Sequence, residues 1–363
     1  MTQTAIPYLF MRGGSSRGPY MLRSDLPSDQ EDLARVLVSM IGSGHPLNID
    51  GIGGGAAVTT KVAMLSKSED GWADVDYFFA QVGVENGLVD FKPTCGNILV
   101  GVGPAAIEMG LVTATGSGTE VRIRAVNTGA RVLARIVTQD GAPVYAGGTQ
   151  IDGVPGSAAP VELLFHDVVG GATGALFPTG NRIDTIDGID VTCMDVAMPM
   201  VIARAADFGL TGHETAAELD ENRGFFDRME QVRQQAGALM GMGDVSASVT
   251  PKFGLLAPAQ NDGTAAVRYF MPWKTHPTLA VTGSQCMSAC LLCPGTMGAG
   301  IATGLTDVPA RLRLEHPMGH MDVVMDYSST NEGFDVVSAG LVRTARKLAA
   351  GKVFVPGEIW SGH

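Results

Sequence analysis

The chain has 363 residues, 45% of them hydrophobic, and its 25 basic and 37 acidic side chains give a formal charge of −12. This charge excludes the electrostatic attraction on which binding to nucleic acid or an anionic membrane depends. We therefore expect a small solute as the partner, and an anionic solute would need local Arg or Lys side chains to attract it.

The sequence predicts a cytoplasmic protein. The first residues lack the basic start and apolar core of a secretory signal, and no apolar run approaches the span of a bilayer. Five cysteines at irregular spacing do not form the pattern of a disulfide framework, which favours a reducing compartment.

The sequence predicts an α+β fold. Its 48 glycines mark turns between many short stretches rich in β-branched residues, which are typical of strands, and a few helical stretches. The predicted strands span residues 8–12, 61–66, 75–84, 121–127, 131–138, 191–196, 201–205, 254–257, 265–270, 312–315 and 321–325. The predicted helices span residues 30–39, 97–109, parts of 215–240, and 284–292. The charged, amphipathic segment within 215–240 is expected to cover the periphery.

The length fits two domains, and a weak internal repeat supports two similar halves. A strand-rich stretch leads into a glycine loop and an alanine-rich helix near Cys95, and again near Thr282. Turn residues at 182–188 place the boundary so that the domains are 1–185 and 186–349, with residues 350–363 returning to the first. In such a duplicated fold the two helix starts can face one another across a cleft between the domains, where backbone donors suit carboxylates.

A glycine-rich segment at residues 11–18 follows the first strand and carries Arg12, Ser15 and Ser16. Guanidinium and hydroxyl groups on a flexible backbone suit binding of a carboxylate or a phosphate. The segment lacks the Gly-Lys-Ser/Thr ending of a P-loop. The alternative is a turn whose arginines are solvated.

Lys61 is a single cation at the start of an apolar strand, where desolvation would lower its pKa and make it usable as a base. The alternative is a strand-end lysine that reaches water. The glycine run at 51–55 precedes this strand, whereas a dinucleotide motif must follow a strand and open a helix. We therefore expect no nicotinamide cofactor.

Cys95 lies where a loop becomes a glycine- and alanine-containing helix, so that backbone N–H groups point toward its sulfur. A thiol in this position ionises more readily and can serve as an acid or a base. The alternative is a buried structural cysteine.

Three further cysteines, Cys286, Cys290 and Cys293, match the spacing found in radical iron–sulfur enzymes. At i, i+4 and i+7 they also share one helix face, as core residues do, and we expect packing rather than a cluster. The seven histidines show no metal-ligand spacing, so that we expect no metal. His276, which precedes the second glycine loop, is favoured over His316 as a ligand contact.

Several segments together resemble the PrpF-type isomerases, a branch of the diaminopimelate epimerase fold. The resemblance spans nearly the whole chain. It is carried by residues 11–18, 49–54, 60–63, 95–99, 151–156, 178–181, 315–317 and 341–346.

The resemblance implies two similar domains, each a curved sheet around a central helix, with the active site in the cleft between them. It implies a cofactor-independent allylic 1,3-proton shift in an unsaturated di- or tricarboxylate. The overall pattern is most similar to members that act on 4-oxalomesaconate. Members that act on aconitate, 2-methylaconitate or methylitaconate, or a non-catalytic accessory protein of an aconitase-like enzyme, are the alternatives. A homodimer is one possible assembly.

The resemblance also places Lys61 and Cys95 at the acid–base positions, with Lys61 as base and Cys95 as acid, and with the reverse order open. The amides of Gly96 and Asn97 at one helix start, and of Gly283 and Ser284 at the other, would bind carboxylates or the enolate oxygen. Because residues 281–284 contain no cysteine, the thiol-pair chemistry of epimerases is not expected. The predicted substrate-binding residues are Arg12, Ser15, Ser16, Gly53, Gly54, Thr60, Gln81, Gly96, Asn97, Lys252, His276, Thr282, Gly283 and Ser284.

Overall fold

The computed structural model describes residues 3–302, 304–305, 307–330 and 333–362. The strands are β1 Gln3–Gly13, β2 Ser16–Leu22, β3 Lys61–Lys67, β4 Val75–Val82, β5 Val89–Asp90, β6 Gly118–Ala125, β7 Arg131–Gln139, β8 Ala142–Pro143, β9 Pro160–Phe165, β10 Asp184–Ile186, β11 Ile189–Asp195, β12 Pro199–Arg204, β13 Lys252–Ala257, β14 Ala265–Phe270, β15 Ala310–His316, β16 Gly319–Ser329 and β17 Phe334–Pro356. The α-helices are α1 Gln30–Ile41, α2 Gly96–Leu99, α3 Val102–Glu108, α4 Ala216–Glu221, α5 Arg223–Leu239 and α6 Val281–Leu292.

The chain divides into two compact units: unit 1 comprises Met1–Leu163 and Val342–His363, and unit 2 comprises Leu164–Leu341. Unit 2 begins before the predicted boundary after residue 185, because Val169 bridges to Val196 and the Asp195 N–H donates to the Leu176 carbonyl. The return to unit 1 also begins before residue 350, because β17 pairs with β1 from residue 345 onward.

In unit 1, helices cover the sheet on two sides. Alternate residues of β3 face α1, so that Val62 and Met64 pack with Leu33 and Leu37 of that helix. The short helices α2 and α3 contact β1, β2, β3, β6, β7 and β8. Together α2 and α3 make up the helical segment on the inner side of this unit. The buried Tyr20 hydroxyl holds α2 in place by donating to the Ile98 carbonyl at 2.5 Å.

Unit 2 follows the same plan. Along β12, Met200 and Ile202 belong to the apolar cluster around α6, whereas Val201 and Ala203 belong to the cluster around α5. Helix α5 is the predicted peripheral cover: one face is buried and the other is exposed. Helices on both faces explain why these strands are hydrophobic throughout rather than alternating.

The predicted α+β class is confirmed, and each predicted strand and helix overlaps an observed one. The predicted helix at 97–109 is interrupted at residues 100–101, and the predicted helix at 284–292 begins three residues earlier, at Val281. The 23-residue strand β17 lies outside every predicted element. Among the helices of the described ranges, none is long and apolar enough to cross a bilayer.

The three cysteines of α6 and its end pack in the core as predicted. Cys286 and Cys290 are fully buried and Cys293 is 1% exposed, all within the cluster around α6. Burial raises the pKa of each thiol, to about 11 for Cys293. These side chains therefore contribute packing as neutral thiols.

Arg233 is a buried charge on which the attachment of α5 depends. Its side chain is 0% exposed, pairs with Glu230 at 2.7 Å, and donates to the carbonyls of Val245 and Pro251. We expect Arg233→Met to lower the free energy of unfolding by about 3 kcal/mol, because two carbonyls and a partly buried carboxylate lose their donor. Urea denaturation would measure the loss. Arg223→Met at the exposed start of the same helix is the control, and an equal effect of both changes would contradict the assignment.

Candidate active site

Lys61 occupies the first position of β3, directly before four fully buried residues. Its ammonium group donates to the Gln81 side-chain oxygen at 2.7 Å and lies 5.4 Å from the centre of the Phe79 ring. Lys61 and Gln81 stand opposite one another in the β3–β4 ladder. The β-ladder register therefore holds this partly buried cation against one neutral oxygen and one aromatic face.

The Gln81 amide is oriented by its own donors. Its nitrogen donates to the Thr60 hydroxyl at 3.1 Å and to the Ala57 carbonyl at 3.2 Å, which turns its oxygen toward Lys61. The fully buried Thr60 hydroxyl in turn donates to the Val82 carbonyl at 2.7 Å. Thr60, predicted as a substrate contact, thus acts here as a support for Gln81.

Cys95 caps the start of α2 with its carbonyl, which accepts from the Leu99 N–H at 2.9 Å and from the Tyr77 hydroxyl at 3.4 Å. Cys95 is partly exposed, unlike the buried structural cysteine that was the alternative. The N–H groups of Gly96 and Asn97 lie in the first turn, where the helix itself offers no acceptor.

The residues that touch Lys61 and Cys95 alternate along β4. Gln81 and Phe79 contact Lys61, and Tyr77 contacts Cys95. Residues two apart on a strand share a face, and the Tyr77 and Phe79 ring centres are 6.3 Å apart. The groups that contact the two predicted acid–base residues therefore share one face of β4: the Phe79 ring lies beside the Lys61 ammonium group, and the Tyr77 hydroxyl donates to the Cys95 carbonyl.

Two buried phenols adjoin the Cys95 sulfur. Burial raises the pKa values of Tyr20 and Tyr77 well above the ordinary phenol value, and negative charge on Cys95 would raise them further. Both hydroxyls therefore remain protonated and neutral.

The turn between β1 and β2 packs against the start of α2. The Asn97 side-chain oxygen accepts from the Ser15 N–H at 3.4 Å. A Cβ atom at Gly13 or Gly14 would clash with Asn97, and Gly14 has a φ of 52°. Only glycine permits this approach, which brings the Gly-rich segment beside Asn97, two residues after Cys95.

Arg12 and Ser16 line one cavity of unit 1. Arg12 donates to the carbonyls of Gly14 and Thr344, each at 2.8 Å. Ser16 is 3% exposed, and its hydroxyl has no hydrogen-bond partner in the described part of the chain. The cavity has a volume of about 570 Å³. Its lining includes Arg12, Ser15, Ser16, Arg17, Val58, Thr59, Tyr145, Ala146, Ile151, residues 153–158, Thr344, Arg346 and Leu348.

The two predicted glycines at 53 and 54 have different surroundings. The Gly53 N–H donates to the Ile41 carbonyl at 3.0 Å, so Gly53 belongs to the end of α1. A Cβ at Gly54 would lie 2.7 Å from the Arg17 guanidinium and 2.8 Å from the Thr59 hydroxyl, two groups of the cavity wall.

In unit 2, Lys252 and His276 are neighbours. Lys252 starts β13 and, within the described residues, makes no side-chain hydrogen bond or ion pair. Burial lowers the pKa of both groups, and the positive charge of Lys252 lowers that of His276 further. The His276 ring accepts from the Thr278 N–H at 3.1 Å.

One of the two amide donors predicted at the start of α6, the N–H of Ser284, is already hydrogen-bonded within the protein. The Ser284 N–H donates to the Ala280 carbonyl at 2.9 Å and its fully buried hydroxyl donates to the Val281 carbonyl at 2.7 Å. Because the helix begins at Val281, Ser284 closes its first turn and offers no free donor, contrary to the prediction. Thr282 and Gly283 lie within the first turn, with Gly283 packed against the Tyr269 ring.

Sequence reasoning missed several cavity residues: Arg17, Thr59, Tyr145, Ile151, residues 153–158, Thr344 and Arg346. The signals were present in part, since Arg17 belongs to the segment 11–18, and the segments 151–156 and 341–346 also carry the resemblance. Their meeting at one cavity depends on β17 returning beside β1, which the sequence pattern did not reveal.

Comparison with known proteins identifies the family. Residues 3–356 match the PrpF protein family, and the chain belongs to that family. It is 47% identical over 353 residues to YbhH of Escherichia coli (strain K12), covering 97% of this chain and 99% of that protein.

Several relatives carry functional names, among them a tautomerase and an isomerase. The chain is 44% identical over 362 residues to the 4-oxalomesaconate tautomerase of Pseudomonas putida, covering 100% of this chain and 99% of that one. The crystal structure of methylitaconate-delta-isomerase matches with a TM-score of 0.90 and 32% identity over 99% of this chain and 97% of that chain. The prediction of an isomerase is confirmed by these relatives at the level of the enzyme class.

The five thiols differ enough in burial to be told apart chemically. Cys95 is partly exposed, whereas the other four are buried, and burial raises the pKa of Cys193 to about 12. We expect a disulfide reagent to modify one thiol rapidly in the native protein and five after denaturation, because the thiolate is the reactive form. Peptide mass spectrometry would locate the label, and Cys95→Ala is expected to remove the rapid phase. Rapid labelling of a second cysteine would contradict this.

Proposed function

We propose that the protein is a cofactor-independent isomerase that moves the double bond of an unsaturated di- or tricarboxylate by an allylic 1,3-proton shift. The observation that carries the proposal is that the side chains in contact with Lys61 and Cys95 share one face of β4: Gln81 and Phe79 contact the Lys61 amine, and the neighbouring Tyr77 contacts the Cys95 carbonyl. Unlike acid and base groups suit a reaction that removes a proton at one carbon and returns a proton two carbons away.

The proton balance assigns a role to each group. Lys61, as the free amine, takes the allylic proton and becomes ammonium, and the substrate becomes a dienolate. Cys95, as the thiol, gives a proton to the far carbon and becomes a thiolate. Return of one proton from Lys61 to Cys95, directly or through solvent, resets both groups.

The surroundings of the two residues support this chemistry. The Gln81 oxygen at 2.7 Å holds the Lys61 nitrogen without adding charge. The N–H groups of Gly96 and Asn97 would stabilise the enolate oxygen, because donors aligned in advance lower the barrier to charge development. In a chain of charge −12, the arginines of the 570 Å³ cavity supply local positive potential for an anionic substrate.

Within this reaction class we propose 4-oxalomesaconate as the substrate. The support is the 44% identity, over essentially the full length, to a relative named for that compound, against 32% identity to the methylitaconate isomerase. Methylitaconate is the second candidate, because the methylitaconate-delta-isomerase structure matches over 99% of this chain.

The roles of Lys61 and Cys95 are separable by isotope exchange in D₂O. We expect Lys61→Met to abolish both loss of the allylic proton and product formation, because no base remains. We expect Cys95→Ser to lower product formation by about 10²- to 10⁴-fold while exchange at the allylic carbon persists, since the base still acts. Proton NMR would follow both signals.

Lys67→Met, at the exposed end of the same strand, is the matched control and is expected to retain activity. Exchange that persists in Lys61→Met and is lost in Cys95→Ser would reverse the assignment. Full activity in both variants would refute the proposed chemistry.

The substrate is tested by incubating the purified protein in D₂O with 4-oxalomesaconate, cis- and trans-aconitate, 2-methylaconitate and methylitaconate. We expect the highest kcat/KM and double-bond migration with 4-oxalomesaconate. A higher kcat/KM for another compound would replace the substrate and keep the reaction. No exchange with any compound, in a folded protein that binds them, would favour a non-catalytic accessory role.

A further inference from the structure

Three arginines stand in one row across three neighbouring strands of unit 1. In the β1–β2 ladder Arg12 is opposite Arg17, and in the β1–β17 ladder Arg12 is opposite Arg346. Opposite residues of antiparallel strands project to the same face with Cα atoms about 4.5–5.5 Å apart, and like charges in such positions repel. The row therefore costs stability as long as its charge is not balanced.

Acidic side chains do not balance it. In the described part of the chain none of the three arginines forms an ion pair, and the cavity lining contains no Asp or Glu. The adjacent Lys347, by contrast, pairs with Glu108 at 2.7 Å. Burial lowers the pKa of Arg12, and the positive charge of Arg346 lowers it further.

The row faces a cavity built for a ligand larger than one carboxylate. All three arginines line the 570 Å³ cavity, together with the buried Ser16 hydroxyl that has no partner among the described residues. A buried hydroxyl without a partner costs free energy, which a bound anion would recover. Guanidinium groups are planar forks that match carboxylates in two-point contacts.

The cavity adjoins the acid–base residues without including them. Lys61 and Cys95 are not part of its lining. Ser15 of the lining donates to Asn97, two residues after Cys95, and Thr59 of the lining lies two residues before Lys61. A carboxylate bound by the three arginines would therefore belong to a part of the substrate other than the carbons on which Lys61 and Cys95 act.

We propose, resting on the proposed function, that the Arg17–Arg12–Arg346 row binds the carboxylates of the substrate that lie away from the migrating double bond, and thereby selects tricarboxylates over dicarboxylates. Arg12 also links the β1–β2 turn to β17, by donating to the carbonyls of Gly14 and Thr344. Arg17 and Arg346, whose side chains make no hydrogen bond or ion pair within the described residues, are the specificity-determining pair.

The test uses two saturated ligands that differ by one carboxylate, so that binding is measured without turnover. Tricarballylate carries three carboxylates on a propane chain, and glutarate lacks the central one. By isothermal titration calorimetry we expect the wild-type protein to bind tricarballylate about tenfold more tightly than glutarate, the size of one charge-assisted contact.

We expect Arg17→Met and Arg346→Met each to weaken tricarballylate binding about tenfold and glutarate binding less than about threefold. Arg346→Lys, which keeps the charge and loses the fork, is expected to fall between Arg346→Met and the wild-type protein. Lys352→Met removes a charge from the same strand away from the cavity and is the matched control, expected to bind both ligands as the wild-type protein does.

The outcomes separate this inference from the proposed function. Equal losses for both ligands, or tricarballylate binding unchanged in both arginine variants, would overturn the inference even if the enzyme is active. Selective loss of tricarballylate binding in a protein that turns over no compound would support the row as a tricarboxylate site and refute the proposed reaction. Circular dichroism of each variant would verify that it is folded.

Discussion

The close approach of the β1–β2 turn to the start of α2 is the constraint on which the candidate site depends. Gly13 and Gly14 lie so near Asn97 that a side chain at either position would clash. This contact holds the Gly-rich segment close to Asn97 and thus to the loop–helix junction at Cys95. The β-ladder register then places Arg17 and Arg346 on either side of Arg12. A larger residue in the turn would alter the arginine row and the cysteine together, although neither is itself substituted.

The charge distribution shows how an acidic protein can attract an anion. Elsewhere in unit 1, Arg122 and Arg124 are paired with Asp74 and Asp76 at 2.7 and 2.6 Å. The charges of Arg122 and Arg124 are thereby neutralised by neighbouring carboxylates. The arginines of the cavity keep their positive potential, because the cavity lining contains no carboxylate. A net charge of −12 is therefore compatible with local attraction, because screening limits the reach of each surface charge to about 10 Å.

Local sequence signals predicted much of the fold and part of the site. Periodicity located most strands, and it placed Lys61 at a strand start and Cys95 at a loop–helix junction. The resemblance to the PrpF-type isomerases, rather than either local pattern, selected these two residues as an acid–base pair. The arginine row depends on pairing between residues 12 and 346, which no local pattern encodes. The helix start at Val281 shifts the first free amides by three residues, and this shift is why Ser284 was assigned a donor role that the structure does not support.

The division of the chain between the units has a consequence for biosynthesis. Unit 2 is one continuous segment, Leu164–Leu341, whereas unit 1 needs Val342–His363 to complete its sheet. A nascent chain therefore holds every residue of unit 2 before it holds the last strand of unit 1. Unit 2, which is then complete, can already fold. Until β17 is synthesised, the edge of β1 that pairs with it stays unpaired. Such an edge is a template for pairing with another chain, so that a pause in translation near residue 341 would expose the protein to aggregation at the strand that carries Arg12.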